Sequence, residues 1–156
     1  MAFYKKITIK WSYPVAFDRI LEKESVTDMG IYYISRQFGN KKSILYIGKT
    51  TDMFKHRLKD HKKKWLDTYR GQKSVRLGTV IAPVNISEEE RKELINDAEK
   101  TIIYYLSKLD EHDPVANVVS TNSANFYHIL KIENTGFRGQ LPKEICIPKE
   151  WLKIEE

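Results

Sequence analysis

Three polar side chains stand where the helical pattern of this sequence calls for apolar ones: Arg57, His61 and Glu99. On a 3.6-residue period, Arg57 and His61 lie four apart on the face that carries Phe54, Leu58 and Trp65. Lys55, Lys59, Lys62 and Lys63 occupy the other side. A charge on an apolar face is costly unless it is paired or sits at the edge of a cleft. Arg57 therefore reads either as half of a structural salt bridge or as an anion-binding group. His61 reads either as a hydrogen-bonded, partly buried histidine or as part of a site. Glu99 falls on the apolar border of a second helix, beside Ile103 and Leu106. It calls for a cation, which spacing alone leaves open between an arginine and a divalent metal. Two tyrosines join this set. Tyr32 and Tyr46 close and open the β-prone strings Gly30-Ile31-Tyr32 and Tyr46-Ile47-Gly48, with the turn-like run Phe38-Gly39-Asn40-Lys41-Lys42 between them. Strands joined in this way form an antiparallel hairpin, so both rings could enter one shallow site. The plainer reading of such a pair is cross-strand packing.

Charge is concentrated near these residues. The chain of 156 residues has a net charge of +6, but residues 41–76 carry 12 Lys or Arg against 3 Asp, a local +9. Residues 77–113 carry 4 basic and 9 acidic groups, a local −5. A basic stripe beginning beside the second tyrosine string is the footprint of a polyanion partner.

The elements that must position these groups follow from periodicity. Residues 4–10 alternate as a strand, and residues 14–22 form a short helix. The hairpin occupies about 30–37 and 43–49. Thr51 or Asp52 caps a helix running to about Trp65, and residues 75–81 form a further strand. Ser87-Glu88-Glu89-Glu90 is a capping box that opens a long helix to about Leu109. Residues 126–132 read as a late strand, and the tail with Pro142 and Pro148 as irregular or edge-strand material. The expected architecture is a small α+β domain: a mixed or antiparallel sheet of about three core strands flanked by helices, with N- and C-terminal extensions.

The ordered set of strings and side chains resembles the GIY-YIG nuclease family, which is named for the two tyrosine strings. The resemblance spans residues 30–117, leaving residues 1–29 and 118–156 as extensions of the same domain. Family members carry an arginine on the helix after the second strand, matched by Arg57, and a metal-holding glutamate on a later helix, matched by Glu99. They also carry a terminal asparagine, matched by Asn117, with Asn122 a second candidate. Some branches add a histidine one turn after the arginine, as His61 does. The resemblance implies a divalent-metal-dependent endonuclease that hydrolyses phosphodiester bonds in DNA, RNA being the other possible substrate. Tyr32 would be the base and Tyr46 would orient water or phosphate. Because a tyrosine near pKa 10 is a poor base at neutral pH, Arg57, Lys49 or His61 would have to lower it, or His61 would take the proton itself. Arg57 would hold the phosphate oxygens with its planar fork. Glu99 would hold one Mg²⁺ or Mn²⁺, and Asn117 would support the fold. Lys49, Lys55, Lys59, Lys62, Lys63 and Arg70 are the candidates for backbone contacts. The alternative is a nucleic-acid-binding module that keeps the fold without cutting.

Other chemistries fit poorly. Gly48-Lys49-Thr50 ends like a phosphate-binding loop, but Ser43 stands where that motif needs its first glycine. His56, His61, His112 and His128 with the lone Cys146 show no zinc-ligand spacing. One cysteine excludes an internal disulfide and suits a reducing, cytoplasmic setting. No run approaches the roughly 18 apolar residues of a membrane span. Recognition modules such as a helix-turn-helix are absent from the sequence, and oligomeric state is left open. The polar stretches 120–125 and 134–139 have the composition of cleft-lining loops.

Overall fold

In a computed structural model, residues 4–20, 30–39, 41–50, 71–81, 86–107 and 129–148 are described. They form an α+β domain. Strand β1 (Tyr4–Trp11) leads through the short β2 (Val15–Ala16) into a single helical turn, α1 (Phe17–Ile20). The hairpin β3 (Gly30–Phe38) and β4 (Lys41–Thr50) follows, then β5 (Gln72–Ile81), the long helix α2 (Glu88–Ser107), β6 (Ile129–Gly136) and β7 (Glu144–Cys146). The seven strands make one sheet in the order β4-β3-β5-β1-β6-β7, with β2 paired to β5. Every pairing is antiparallel except β1 with β6, which is parallel.

The hairpin, the β5 strand and the capped helix lie where residue pattern places them. Ser87 Oγ accepts a hydrogen bond from the Glu90 backbone N–H at 3.1 Å, one half of the expected capping box. The sheet is larger than the expected three-strand core, because β1, β6 and β7 from outside residues 30–117 continue it beyond β5. The expected helix over 14–22 is a two-residue strand followed by one helical turn within the described residues. Pro14 and the β-branched Val15 instead favour pairing with Val75 on β5. The expected helix from Thr51 to Trp65 lies outside the described residues.

Strand alternation sends side chains to two cores. Ile31 and Tyr33 of β3 pack with Trp11, Ile47 and the apolar side of α2. Tyr32 and Ile34 pack on the other face with Phe17, Ile20, Leu45, Val75 and Leu77. A register shift between Ile34 and Ser35 leaves Leu45 as an extra residue on β4. This bulge lets Leu45 and Tyr46 both join the Tyr32 face while Ile44 and Ile47 serve the α2 face.

The far end of the sheet is tied by a buried polar residue. Asn134, expected from its loop-like neighbourhood to line a cleft, is buried instead. Its Oδ1 accepts from the Trp11 indole Nε1–H at 2.9 Å, and its Nδ2 donates to the Pro142 carbonyl at 2.8 Å. It thereby joins β1 to the chain that enters β7. Asn134→Ala should strand the buried indole N–H and the Pro142 carbonyl, at a cost of about 1–3 kcal/mol for each group left without a partner. A thermal or urea melt of the variant should show that loss; an unchanged midpoint would remove this role for Asn134.

Candidate functional site

The register sets Tyr32 directly opposite Gly48 across the hairpin, and Ile34 opposite Tyr46. Tyr32 and Tyr46 are thus diagonal neighbours on one face, their rings stacked at 6.2 Å between centroids and 29° between planes. Gly48 is required by this stack rather than by backbone conformation. A Cβ at that position would collide with Tyr32 Oη, sit 2.5 Å from Tyr32 Cζ and 2.7 Å from Tyr46 Cε1. An aromatic ring laid over a cross-strand glycine covers backbone that the glycine leaves bare. Tyr32 itself is 0 % exposed, whereas Tyr46 is half-buried and reaches the edge of the cluster.

The other expected residues divide between described and undescribed chain. Arg57, His61, Asn117 and the basic residues Lys55, Lys59, Lys62, Lys63 and Arg70 lie outside the described residues, as does Asn122. Glu99 is half-buried on α2, whose apolar side packs against the face of Ile31 and Tyr33. The helix that carries Glu99 therefore covers the face opposite the Tyr32–Tyr46 stack. Lys49 belongs with that helix as well: its Nζ donates to Asn96 Oδ1 on α2. Among the described residues, no group of three or more His, Cys, Asp or Glu side chains is placed to hold a metal ion. Glu99 is one carboxylate, and Mg²⁺ is ordinarily held by one or two carboxylates together with substrate phosphates and waters.

Two residues of weight were missed by the reading from sequence. Asp97, which the helical period sets outside the apolar side of α2 that carries Leu94, Ala98 and Ile102, is nevertheless fully buried. Helix α2 is enclosed over a wider arc than its apolar residues mark out, as the burial of Thr101 and Tyr104 also shows. Thr101 Oγ1 donates to the Asp97 carbonyl at 2.6 Å, a local bond within the buried turn. Tyr33 is the second. It stands next to Tyr32 but faces the α2 core, where its ring meets Trp11 edge-on at 5.0 Å. Its hydroxyl donates to the Arg138 carbonyl at 2.6 Å, and the Arg76 guanidinium lies 5.2 Å from the ring centroid. The unbroken run Ile31-Tyr32-Tyr33-Ile34 was the available signal, since a strand buried on both faces reads as a continuous apolar stretch.

Searches against protein families, curated proteins and solved structures found no match to this chain. The chemistry of the site therefore rests on its own residues.

Two measurements check this geometry. Gly48→Ala must push the tyrosine rings apart, and should cost about 1–3 kcal/mol as an overpacked core does. Chemical denaturation that found no loss would show that the rings are not fixed over Gly48. Burial pushes the Tyr33 hydroxyl up from 10.0 to about 12, with the nearby Arg76 charge opposing the rise. The folded chain holds this proton more tightly than the unfolded one. Its stabilising effect is complete below pH 10 and is lost as pH rises through about 12. Urea midpoints across that window should fall in the parent chain, and Tyr33→Phe should remove that part of the fall.

Proposed function

We propose that this chain is a GIY-YIG-like, divalent-metal-dependent endonuclease acting on DNA, with residues 30–117 as the catalytic unit. The observation that supports the reading is the meeting of Tyr32, Tyr46 and Gly48 on one face of the β3–β4 hairpin. It accounts for both tyrosine strings by a single arrangement, and β4 also begins the segment of net charge +9. In this proposal Tyr32, ionised to the phenolate beside a cationic group, takes a proton from water, or neutral His61 takes it while the Tyr32 hydroxyl relays it; the hydroxide so formed attacks the phosphorus, and Tyr46 orients the water or the phosphate. Arg57 spans the non-bridging phosphate oxygens with its guanidinium fork. Asn117 supports the fold, and the lysines of 55–63 with Arg70 follow the phosphate backbone. Glu99 is the residue that would hold Mg²⁺ or Mn²⁺; when bound, such an ion neutralises charge on the departing oxygen.

A second reading is favoured by a specific observation. Tyr32 is completely enclosed, and the helix bearing Glu99 packs on the opposite face. Tyrosine-over-glycine packing by itself explains why these residue types stand where they do. A domain of this kind could bind nucleic acid without cutting it.

Purified protein incubated with supercoiled plasmid, branched DNA and RNA separates the two. The nuclease reading expects cleavage in Mg²⁺ or Mn²⁺ that a chelator abolishes. Glu99→Ala and Arg57→Ala should each lower it by roughly 100-fold or more while binding persists. Binding that falls steeply with salt, ignores chelator and is never followed by cleavage assigns the chain to the second reading.

A further inference from the structure

We propose that the cavity at the turn end of the β3–β4 hairpin is a docking site for single-stranded nucleic acid. The cavity measures about 730 Å³, within the roughly 300–1,000 Å³ of sites that take organic ligands. Its cationic lining comes from Arg36, Lys42, Lys73 and Arg76, and no acidic side chain is among the described residues that line it. The register places Arg36 directly opposite Lys73 across β3 and β5, so two cationic side chains stem from this end of the sheet. Lys42 and Lys73 have no ion-pair partner among the described residues.

Arg76 is held ready. Its Nη1 donates to Ser35 Oγ at 3.3 Å, its guanidinium lies over the Tyr33 ring, and its buried Nε has no hydrogen-bond partner among the described residues. Gly139, at φ +57°, makes the room: a Cβ there would sit 2.6 Å from Arg76 Cζ.

An aromatic pair stands at the rim. Tyr13 lines the cavity at 63 % exposure, and Phe137 abuts it edge-on at 5.0 Å with 53 % exposure. Exposed rings beside a cationic groove are what an unpaired strand recognises, with bases stacking on the rings and phosphates meeting the cations. A duplex keeps its base faces covered, so the rings favour a single strand. The site is centred away from the tyrosine stack, since Ser35 to Gln37 lie three to five residues beyond Tyr32 on β3, about 10 Å or more along the strand, and the two share Phe17 as a wall. It stands whether or not the chain cuts.

The test reads binding of a fluorescein-labelled oligothymidylate by the full chain in chelator, so that failure of cleavage and failure of this site are distinct results. Lys42→Gln with Lys73→Gln should flatten the slope of log affinity against log salt by about 1.4, at roughly 0.7 for each phosphate that is no longer neutralised. Tyr13→Ala with Phe137→Ala should weaken binding about fivefold or more for each base that loses its stack, leaving the salt slope unchanged. Tyr13→Phe with Phe137→Tyr keeps both rings and should bind as the parent does. Circular dichroism confirms that each variant is folded. Parental affinity in the alanine pair, parental salt slope in the glutamine pair, or tighter binding of a duplex of the same length would each overturn the proposal.

Discussion

Strand β3 must be covered on both sides. Ile31, Tyr32, Tyr33 and Ile34 are all fully buried, and successive side chains on a strand point in opposite directions. No single packed layer can satisfy them. Helix α2 serves one face, and Phe17 and Ile20 contribute to covering the other. A one-residue slip in the pairing of β3 would exchange Tyr32 with Tyr33 and bring each hydroxyl into the wrong core. The bulge opposite Ile34 belongs to the same constraint, because it resets β4 so that Tyr46 and Gly48 arrive on the Tyr32 face.

Close approach of rings to glycines carries that constraint across the sheet. Gly48 admits Tyr32, and Gly78 admits Trp11: a Cβ at Gly78 would sit 2.8 Å from Trp11 Cζ3. Both glycines are buried strand residues opposite the ring they accommodate. A glycine inside a strand is unfavourable on entropy alone, and in each case the ring is what fills the space. Trp11 is then fixed a second time through its indole bond to Asn134. The tyrosine face of the hairpin and the β1–β6 junction are thus linked by β5, which pairs with both β3 and β1.

Elements with strong local signals were legible in the residues. Alternation marked β1, paired glycine–tyrosine strings marked the hairpin, and Ser87 marked the start of α2. Extent of burial was harder to read. Asp97 lies just outside the apolar arc of α2, and periodicity places such a carboxylate in water; only the enclosure of the helix on more than one side buries it. Tyr33 was eclipsed by its neighbour, because the glycine–tyrosine string ends at Tyr32 while the buried run continues past it. The enlargement of the sheet was not legible either. A parallel pairing such as β1 with β6, 125 positions apart at Tyr4 and Ile129, leaves no trace in local pattern. The basic segment 41–76 and the stretch 134–139 were marked by composition, but their meeting with Tyr13 and Arg36 around one cavity was not, because these residues come from separate stretches brought together only when the sheet is assembled.

Charge on the assembled surface is unevenly compensated, and this bears on where a polyanion would approach. Across β1, β6 and β7, Lys6 lies 3.8 Å from Glu133 and Lys131 lies 3.8 Å from Glu144. Such exposed pairs add little stability, about 0–1 kcal/mol each, but they neutralise that part of the sheet. At the hairpin end, Lys42 and Lys73, which have no ion-pair partner among the described residues, stand with Arg76 around a cavity with no acid among its described lining residues. Fields of uncompensated charges add over a concave, poorly polarisable wall, whereas paired charges cancel within a few ångströms. Beside that wall, Tyr13 and Phe137 keep apolar faces in water. In the docking site we propose, electrostatic attraction would deliver an anionic chain to the place where its bases can lose contact with solvent.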